Sequence, residues 1–473
     1  MSRPAARSDE LRLPRHLMEV EELASPTDPL SFFSRIRTQP YALLLDSGTD
    51  PHRLGRHSFA TANPWAVVRS KGRLTEVLDW RDGTTKVVED DPLRVARELA
   101  SPWATDPIAD IPPFQGGVAG YIGYDYGATL ERLPSPRYDD LAVFDVVLGL
   151  YDEVTAWDHV NGRAWRITHD VPRRGQPRAQ DESLFARTTP TPAPSYVVPD
   201  HPQLRSSFTH DAYLRAVQRV REYIVAGDIY QANLSQRLEA PFTGDPWALY
   251  TRLRSINPAP FAAYFNAGET VVVSASPERF LRVTPGGAVE TRPIKGTNPR
   301  GFGPEHDAAL GQALTESEKD RAEHVMIVDL LRNDLSRVCA LHSVSVPELF
   351  TLERYATVHH LVSTVVGQLR PGTDAVDLLH AAFPGGSITG APKIRAMEII
   401  AELEPSRRGV YCGAVGYWSV TGALDTSIVI RTYVIRNGRA YFSVGGGIVA
   451  DSDPESEYRE TLDKARALIA AVT

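Results

Sequence analysis

Thr426-Ser-Ile-Val-Ile-Arg-Thr-Tyr-Val-Ile435 is followed almost at once by Arg439-Ala-Tyr-Phe-Ser-Val444, and the next helical pattern comes only at Glu455–Ala471. Both runs are dense in β-branched and aromatic residues, which marks them as strands. Two strands in succession, with a helix only afterwards, break the βαβα rhythm of a parallel doubly wound sheet. The chain therefore reads as mixed α+β. Working outward, Thr270 to Ser274 reads as a further strand, and helices are expected for Glu316–Leu335 and Ala391–Leu403. Thr209 can cap a helix through Asp211 to Val225, with apolar positions three and four apart and Gly227 as its stop.

Before about residue 170 the texture is of short β-rich runs, Tyr41–Leu45, Trp65–Val68 and Ala142–Tyr151, separated by Gly, Pro and Asp. The composition then shifts to Pro, Arg, Thr and Ser, as in Pro190-Thr-Pro-Ala-Pro194, which cannot bury a core. The expected division is an N-terminal lobe at 1–170, a linker or surface excursion at 171–205 and a C-terminal domain at 206–473.

The 473 residues are 42% hydrophobic and 23% charged, ordinary for a soluble protein. No apolar run approaches the roughly 20 residues of a spanning helix. Met1 to Glu10 has basic residues but no apolar segment behind them, so export is not signalled and the cytoplasm is expected. A net charge of −8 with scattered signs argues against a nucleic-acid surface, which needs a concentrated basic face. Cys339 and Cys412 are the only cysteines, without disulfide or metal-ligand spacing, and read as small core hydrophobes.

Several stretches can carry chemistry. Gly445, Gly446 and Gly447 follow a strand. Their amides can approach an anion closely, although such a triplet is as readily a flexible turn. Glu457 and Glu460 share one face of the helix that follows, as carboxylates on a solvated face also do. Glu323 projects from a helix whose opposite stripe, Val325, Ile327, Val328 and Leu331, is mostly core. Three carboxylates could coordinate Mg²⁺. Lys295 lies on the constrained segment Glu290-Thr-Arg-Pro-Ile-Lys-Gly-Thr297. Burial would lower its pKa and fit it as nucleophile or base; an anion-pairing or surface lysine is the alternative. Phe383-Pro-Gly-Gly-Ser-Ile-Thr-Gly-Ala-Pro-Lys-Ile-Arg395 leads glycines and hydroxyls into a helix N-terminus suited to an anion, or forms a plain structural junction. Tyr411 and Arg431 read as strand-placed candidates for a carboxylate clamp.

Together these stretches resemble the chorismate-utilising enzymes, the family of the anthranilate, aminodeoxychorismate, isochorismate and salicylate synthases. Further motifs carry the resemblance: Leu43-Leu-Leu-Asp-Ser47, Gly55-Arg56 with Ser58, Pro113-Phe-Gln-Gly-Gly-Val-Ala-Gly-Tyr-Ile-Gly-Tyr-Asp125, Asp228-Ile-Tyr-Gln-Ala-Asn-Leu-Ser235, Ser276-Pro-Glu278, Asp329-Leu-Leu-Arg-Asn-Asp334 and His359-His-Leu-Val-Ser363. The resemblance spans nearly the whole chain. It implies a large α/β sandwich of two packed antiparallel sheets with outer helices.

The resemblance also implies roles by motif position. Glu323, Glu457 and Glu460 would hold Mg²⁺; Ser387, Tyr411, Arg431, Gly445, Gly446, Gly447 and Lys464 would bind chorismate; Lys295, Glu278 and His360 would be catalytic. Pro-Ile-Lys-Gly-Thr is typical of the branch that makes 4-amino-4-deoxychorismate, a precursor of p-aminobenzoate, whereas anthranilate and isochorismate synthases carry Pro-Ile-Ala-Gly-Thr. Ammonia in neutral water is almost all ammonium, so a glutamine amidotransferase is expected to supply it. That activity needs a cysteine in a nucleophile elbow, a setting that neither Cys339 nor Cys412 has, so a separate subunit is expected. The alternatives are an anthranilate synthase component and a non-catalytic subunit binding an aromatic metabolite near Leu45 to Ser47.

Overall fold

The run Thr426–Ile435, expected as one strand, is two. In a computed structural model that describes residues 18–50, 52–172, 193–199, 201–355 and 358–473, Leu424–Ile428 pairs with Ala414–Ser419 and Arg279–Val283. Thr432–Arg436 pairs instead with Val271–Ser276 and Arg439–Ile448. Between the two the chain steps from one sheet to the other, and Arg431 takes φ +53° at the step, a left-handed conformation uncommon outside glycine. The neighbouring strands Val271–Ser276 and Arg279–Val283 make the same step, with Pro277 and Glu278 at the crossing. The two crossings are tied by Ile428 N–H donating to Glu278 O at 3.0 Å and Ser276 Oγ–H donating to Ile428 O at 2.5 Å.

Two large sheets result, of 13 and 12 strands among the described residues, and every ladder between named strands is antiparallel. Strands from both ends of the chain share each sheet: Leu43–Asp46 pairs with Phe261–Asn266 in the first, and Gly117–Ile122 with Ala414–Ser419 in the second. The sheets pack through Leu43, Phe265 and Val272 on one side and Val67, Tyr121 and Val415 on the other, all buried. Helices cover the outer faces. Pro29–Ile36, Pro246–Ile256 and Pro454–Val472 lie on the first sheet, while Pro92–Ala100, Glu318–Ser336 and Ala375–Ala382 lie on the second. With both faces covered, Gly117–Ile122, Val146–Tyr151 and Ala414–Ser419 are buried along their whole length. The α/β sandwich with outer helices is the architecture the sequence led us to expect.

The helix read from Thr209 runs His210–Val225, and Thr209 accepts from Ala212 N–H as its cap. The helix expected from Glu316 starts later, because Ser317 breaks the chain. Its side chain caps Glu318–Ser336, after a separate helix Pro304–Glu316. Within the stretch expected as a linker, residues 173–192 lie outside the described residues. Beyond them Tyr196–Val198 and His201–Ser206 form a hairpin joined to the first sheet through Arg205 and Ser206, anchored by the buried Val198 and Leu204. No helix among the described residues is long and apolar enough to cross a membrane.

Candidate active site

The two crossings place Glu278 and Arg431 side by side in the interior. Burial lifts the Glu278 carboxyl to about 7, against a Ser387 hydrogen bond, the Lys295 ammonium, the Ile294 main chain and the Arg431 guanidinium. Burial likewise lowers the proton affinity of Arg431, with Glu278 opposing. A carboxylic acid held near neutrality beside fixed cations is suited to general acid work.

Lys295 reaches the same space from strand Ile294–Pro299. That strand pairs with Val358–Gln368 at Ile294↔Val362 and Thr297↔His360, and the register shifts between the two pairs. The shift is a bulge at Lys295 and Gly296. Gly296 sits at φ +83°, and a Cβ there would lie 2.8 Å from Leu314 Cδ1, so glycine is required. Burial lowers the Lys295 ammonium below the usual lysine range. Lys464 adds to the effect, while Glu323, Glu278 and Glu460 oppose it. The expected nucleophile, acid and acidic residues therefore share one space.

His360, on the strand opposite, is buried. Burial, with help from Arg431 and His359, pushes its imidazole down to about 3. It is neutral at physiological pH, and its Nδ1 lies 2.8 Å from Thr297 Oγ1. Thr297, which the sequence reading left without a role, thus orients His360.

Gly445–Gly447 are not a loop. They lie within strand Arg439–Ile448, paired with Asn233, Leu234 and Ser235. A Cβ at each of the three positions would crowd a neighbour. At Gly446 it would fall 3.1 Å from Glu457 Oε2, 3.6 Å from Glu460 Oε1 and 3.7 Å from Lys464 Nζ; at Gly447, 2.0 Å from Gln231 Nε2. Helical spacing in Pro454–Val472 stacks Glu457, Glu460 and Lys464 on one face over this strand. Lys464 Nζ pairs with Glu460 Oε1 at 2.7 Å and donates to Gly445 O at 2.9 Å. The buried Glu457 accepts from Ser452 Oγ–H at 2.6 Å.

Glu323 accepts from Gln231 Nε2–H at 3.1 Å. Among the described residues no three His, Cys, Asp or Glu side chains are gathered tightly enough to hold a metal by themselves. The expected trio is drawn as a converging pair, Glu457 and Glu460, with Glu323 reaching in from another helix. That donor set suits Mg²⁺, which takes one or two carboxylates and fills its octahedron with water and substrate oxygens.

Ser387 is not at a helix N-terminus. It lies in the short turn Gly386–Ile388, and strand Gly390–Ala391 separates it from helix Lys393–Leu403. That two-residue strand is pinned by pairing with Gln231 and Ala232. Asn233 Nδ2–H donates to Ser387 O at 2.8 Å, fixing the turn. Tyr411 and Arg431, expected on strands, both lie between them: Tyr411 in the turn before Ala414–Ser419, Arg431 at the crossing. Tyr411 is buried, with the Arg408 guanidinium 5.9 Å from its ring centroid. Gln231 and Asn233 carry no motif chemistry of their own, and their only sequence signal is membership of the run Asp228–Ser235.

Residues 41–470 match the family described as chorismate binding enzyme. Among relatives, the chain is 44% identical to aminodeoxychorismate synthase component 1 of Salmonella typhimurium, over 93% of this chain and 94% of that one. It is 45% identical to anthranilate synthase component 1 of Thermus thermophilus, over 95% and 96%. Its fold matches the crystal structure of anthranilate synthase component I from Streptococcus pneumoniae with a TM-score of 0.72 at 32% identity, covering 88% of this chain and 94% of that one.

Proposed function

The chain belongs to the chorismate binding enzymes, and on that ground we propose that it converts chorismate and ammonia to 4-amino-4-deoxychorismate, the reaction of an aminodeoxychorismate synthase component 1. Overall identity does not separate this activity from that of the anthranilate synthases. The observation that carries the proposal is Lys295, a half-buried lysine of lowered pKa beside a carboxyl held near 7.

Chorismate is a dianion, and its two carboxylates need cations and amides. Arg431, Tyr411 and the strand at Gly445–Gly447 would hold the enolpyruvyl carboxylate, with Ser387 and Lys464 bordering the ring. Glu457, Glu460 and Glu323 would hold Mg²⁺. When bound, the ion supplies a Lewis acid for the ring carboxylate.

In the first step the neutral Lys295 Nζ bonds to ring C2, the ring double bonds shift, and the C4–O bond breaks. Glu278 delivers its proton so that water leaves. In the second, ammonia bonds to C4, the double bonds shift back, and the C2–Nζ bond breaks. The proton lost by the new amine returns to the Glu278–Lys295 pair. The enolpyruvyl group stays on the ring throughout. A neutral His360 fits a hydrogen-bonding role better than that of a charged acid.

Ammonia would come from a separate glutamine amidotransferase subunit. Neither cysteine of this chain is suited to that chemistry: both are buried, and burial pushes the Cys412 thiol up to about 12.

The test withholds ammonia. Enzyme mixed with chorismate and Mg²⁺ and quenched in acid should be heavier by chorismate less water, with the adduct on the Lys295 peptide and absent from Lys295→Ala. An unmodified enzyme together with a fully active Lys295→Ala would remove the covalent step.

A further inference from the structure

His324 is the one fully buried histidine among the described residues with both ring nitrogens lacking a hydrogen-bond partner. Buried polar groups are nearly always paired, and each exception calls for an explanation. An imidazole kept in an apolar setting without partners is destabilising, and leucine or methionine would fill that space at less cost.

Its position supplies the explanation. His324 stands on helix Glu318–Ser336, which packs on the Lys295 strand and on the Ser387 turn at once. Gly296 backs onto Asp320, one helical turn before His324, with its Cβ position 3.3 Å from Asp320 Oδ1. Gly386 backs onto Leu330 of the same helix at 2.7 Å. Between those contacts the inward face is otherwise apolar, with Ile327, Val328 and Leu331 buried. The Phe350 ring closes on His324 edge-on, with centroids 5.6 Å apart. The Lys295 main chain lies beside the imidazole and raises its proton affinity against the effect of burial, while neither ring nitrogen has a hydrogen-bond partner.

We propose that His324 is a positioning residue for Lys295: its imidazole N–H donates to the Lys295 main-chain carbonyl and fixes the bulge from which the lysine side chain is aimed. The bulge leaves Lys295 and Gly296 out of the ladder between Ile294 and Thr297, and Gly296 has no side chain to pack it in place. A donor set on the helix that also seats the Ser387 turn ties the aim of Lys295 to that of the turn holding Glu278. The inference rests on the reading of Lys295 as nucleophile.

The test compares shape with donor capacity in the purified full chain, assayed with chorismate, Mg²⁺ and ammonium. His324→Leu keeps apolar volume and removes the donor; it should melt no lower than wild type, yet lose kcat by roughly 100-fold, the effect of misplacing a reacting group by about 1 Å, with KM for chorismate unchanged. His324→Asn restores an N–H and should recover most of that loss although it packs worse. A structural role alone would make activity follow stability, with Asn the poorer variant. If the leucine variant does not fold, His324→Met against His324→Asn makes the same comparison. A leucine or methionine variant with wild-type kcat, or an asparagine variant no better than it, overturns the proposal. Lys295→Ala run alongside separates the two claims: if it stays active the nucleophile reading fails, and if it is inactive while His324→Leu is unimpaired only the positioning role fails.

Discussion

Glu278 and Lys295 hold each other's charge in the same buried space, and burial prevails over both. The ammonium pulls the carboxyl down and the carboxylate holds the ammonium up, yet the carboxyl is raised to about 7 and the lysine lowered. Both shifts move the pair toward the state in which Glu278 is protonated and Lys295 is a free amine. In water, where a carboxyl and a lysine ammonium differ by about six pKa units, that state is negligible.

The pair works when it holds one proton. The rate should therefore rise with pH through about 7, as the doubly protonated form disappears, and fall again as the pair empties in the lowered lysine range. A bell-shaped kcat against pH is expected, and Glu278→Gln should lose the acid limb along with most of the activity. A flat profile from pH 6 to 10 would contradict the assignment.

Glu278 also makes stability depend on pH. Its folded pKa of about 7 lies above the ordinary 4.5, so the fold favours the protonated form. That contribution is fully present below pH 4.5 and is lost as pH rises through 7. Above pH 7 the ionised group weighs against the fold by about 3 kcal/mol at most. Glu278→Gln should melt higher than wild type at pH 8 and alike at pH 4.5; a lower melting point at pH 8 would show that the carboxylate is stabilised rather than strained.

Ser452 tests the proposed Mg²⁺ site. Its hydroxyl holds Glu457 Oε1 at 2.6 Å, so Ser452→Ala should raise the Mg²⁺ concentration for half-maximal activity by roughly 10- to 100-fold, as loss of a ligand's supporting hydrogen bond does. Saturating Mg²⁺ should restore kcat. An unchanged Mg²⁺ requirement would take Glu457 out of the metal site.

Lys393 and Asp334 anchor the chain beside the Gly386–Ile388 turn. Lys393 Nζ donates to Asp334 Oδ2 at 2.7 Å and to Ala382 O at 2.8 Å, tying the start of helix Lys393–Leu403 to the ends of two others. Lys393→Met leaves the buried Asp334 without its partner and should cost about 3 to 5 kcal/mol. Adding Asp334→Asn should recover part of it. Denaturant unfolding of wild type and both variants measures this directly.

Much of the site was legible because helical and motif spacing are local. Glu457 and Glu460 fall on one face by periodicity alone, Thr209 and Gly227 bound their helix, and Lys295 stands out on its constrained segment. What escaped depends on partners far along the chain. The step at Arg431 looks like continuous strand because Ser427–Ile430 and Thr432–Ile435 are equally rich in β-branched residues; which sheet each half joins is decided by strands 271–283. Gly445–Gly447 read equally as a turn or an anion cradle because glycine disfavours strands, yet they lie within a strand, where a Cβ would crowd Leu234 O, Glu457 or Gln231. Gln231, Asn233 and Thr297 act through single hydrogen bonds that no spacing announces.

Product identity tests the central claim most directly. Purified protein given chorismate, Mg²⁺ and ammonium should form 4-amino-4-deoxychorismate, with the enolpyruvyl group retained and no pyruvate released. Anthranilate, with one pyruvate per turnover, would contradict it.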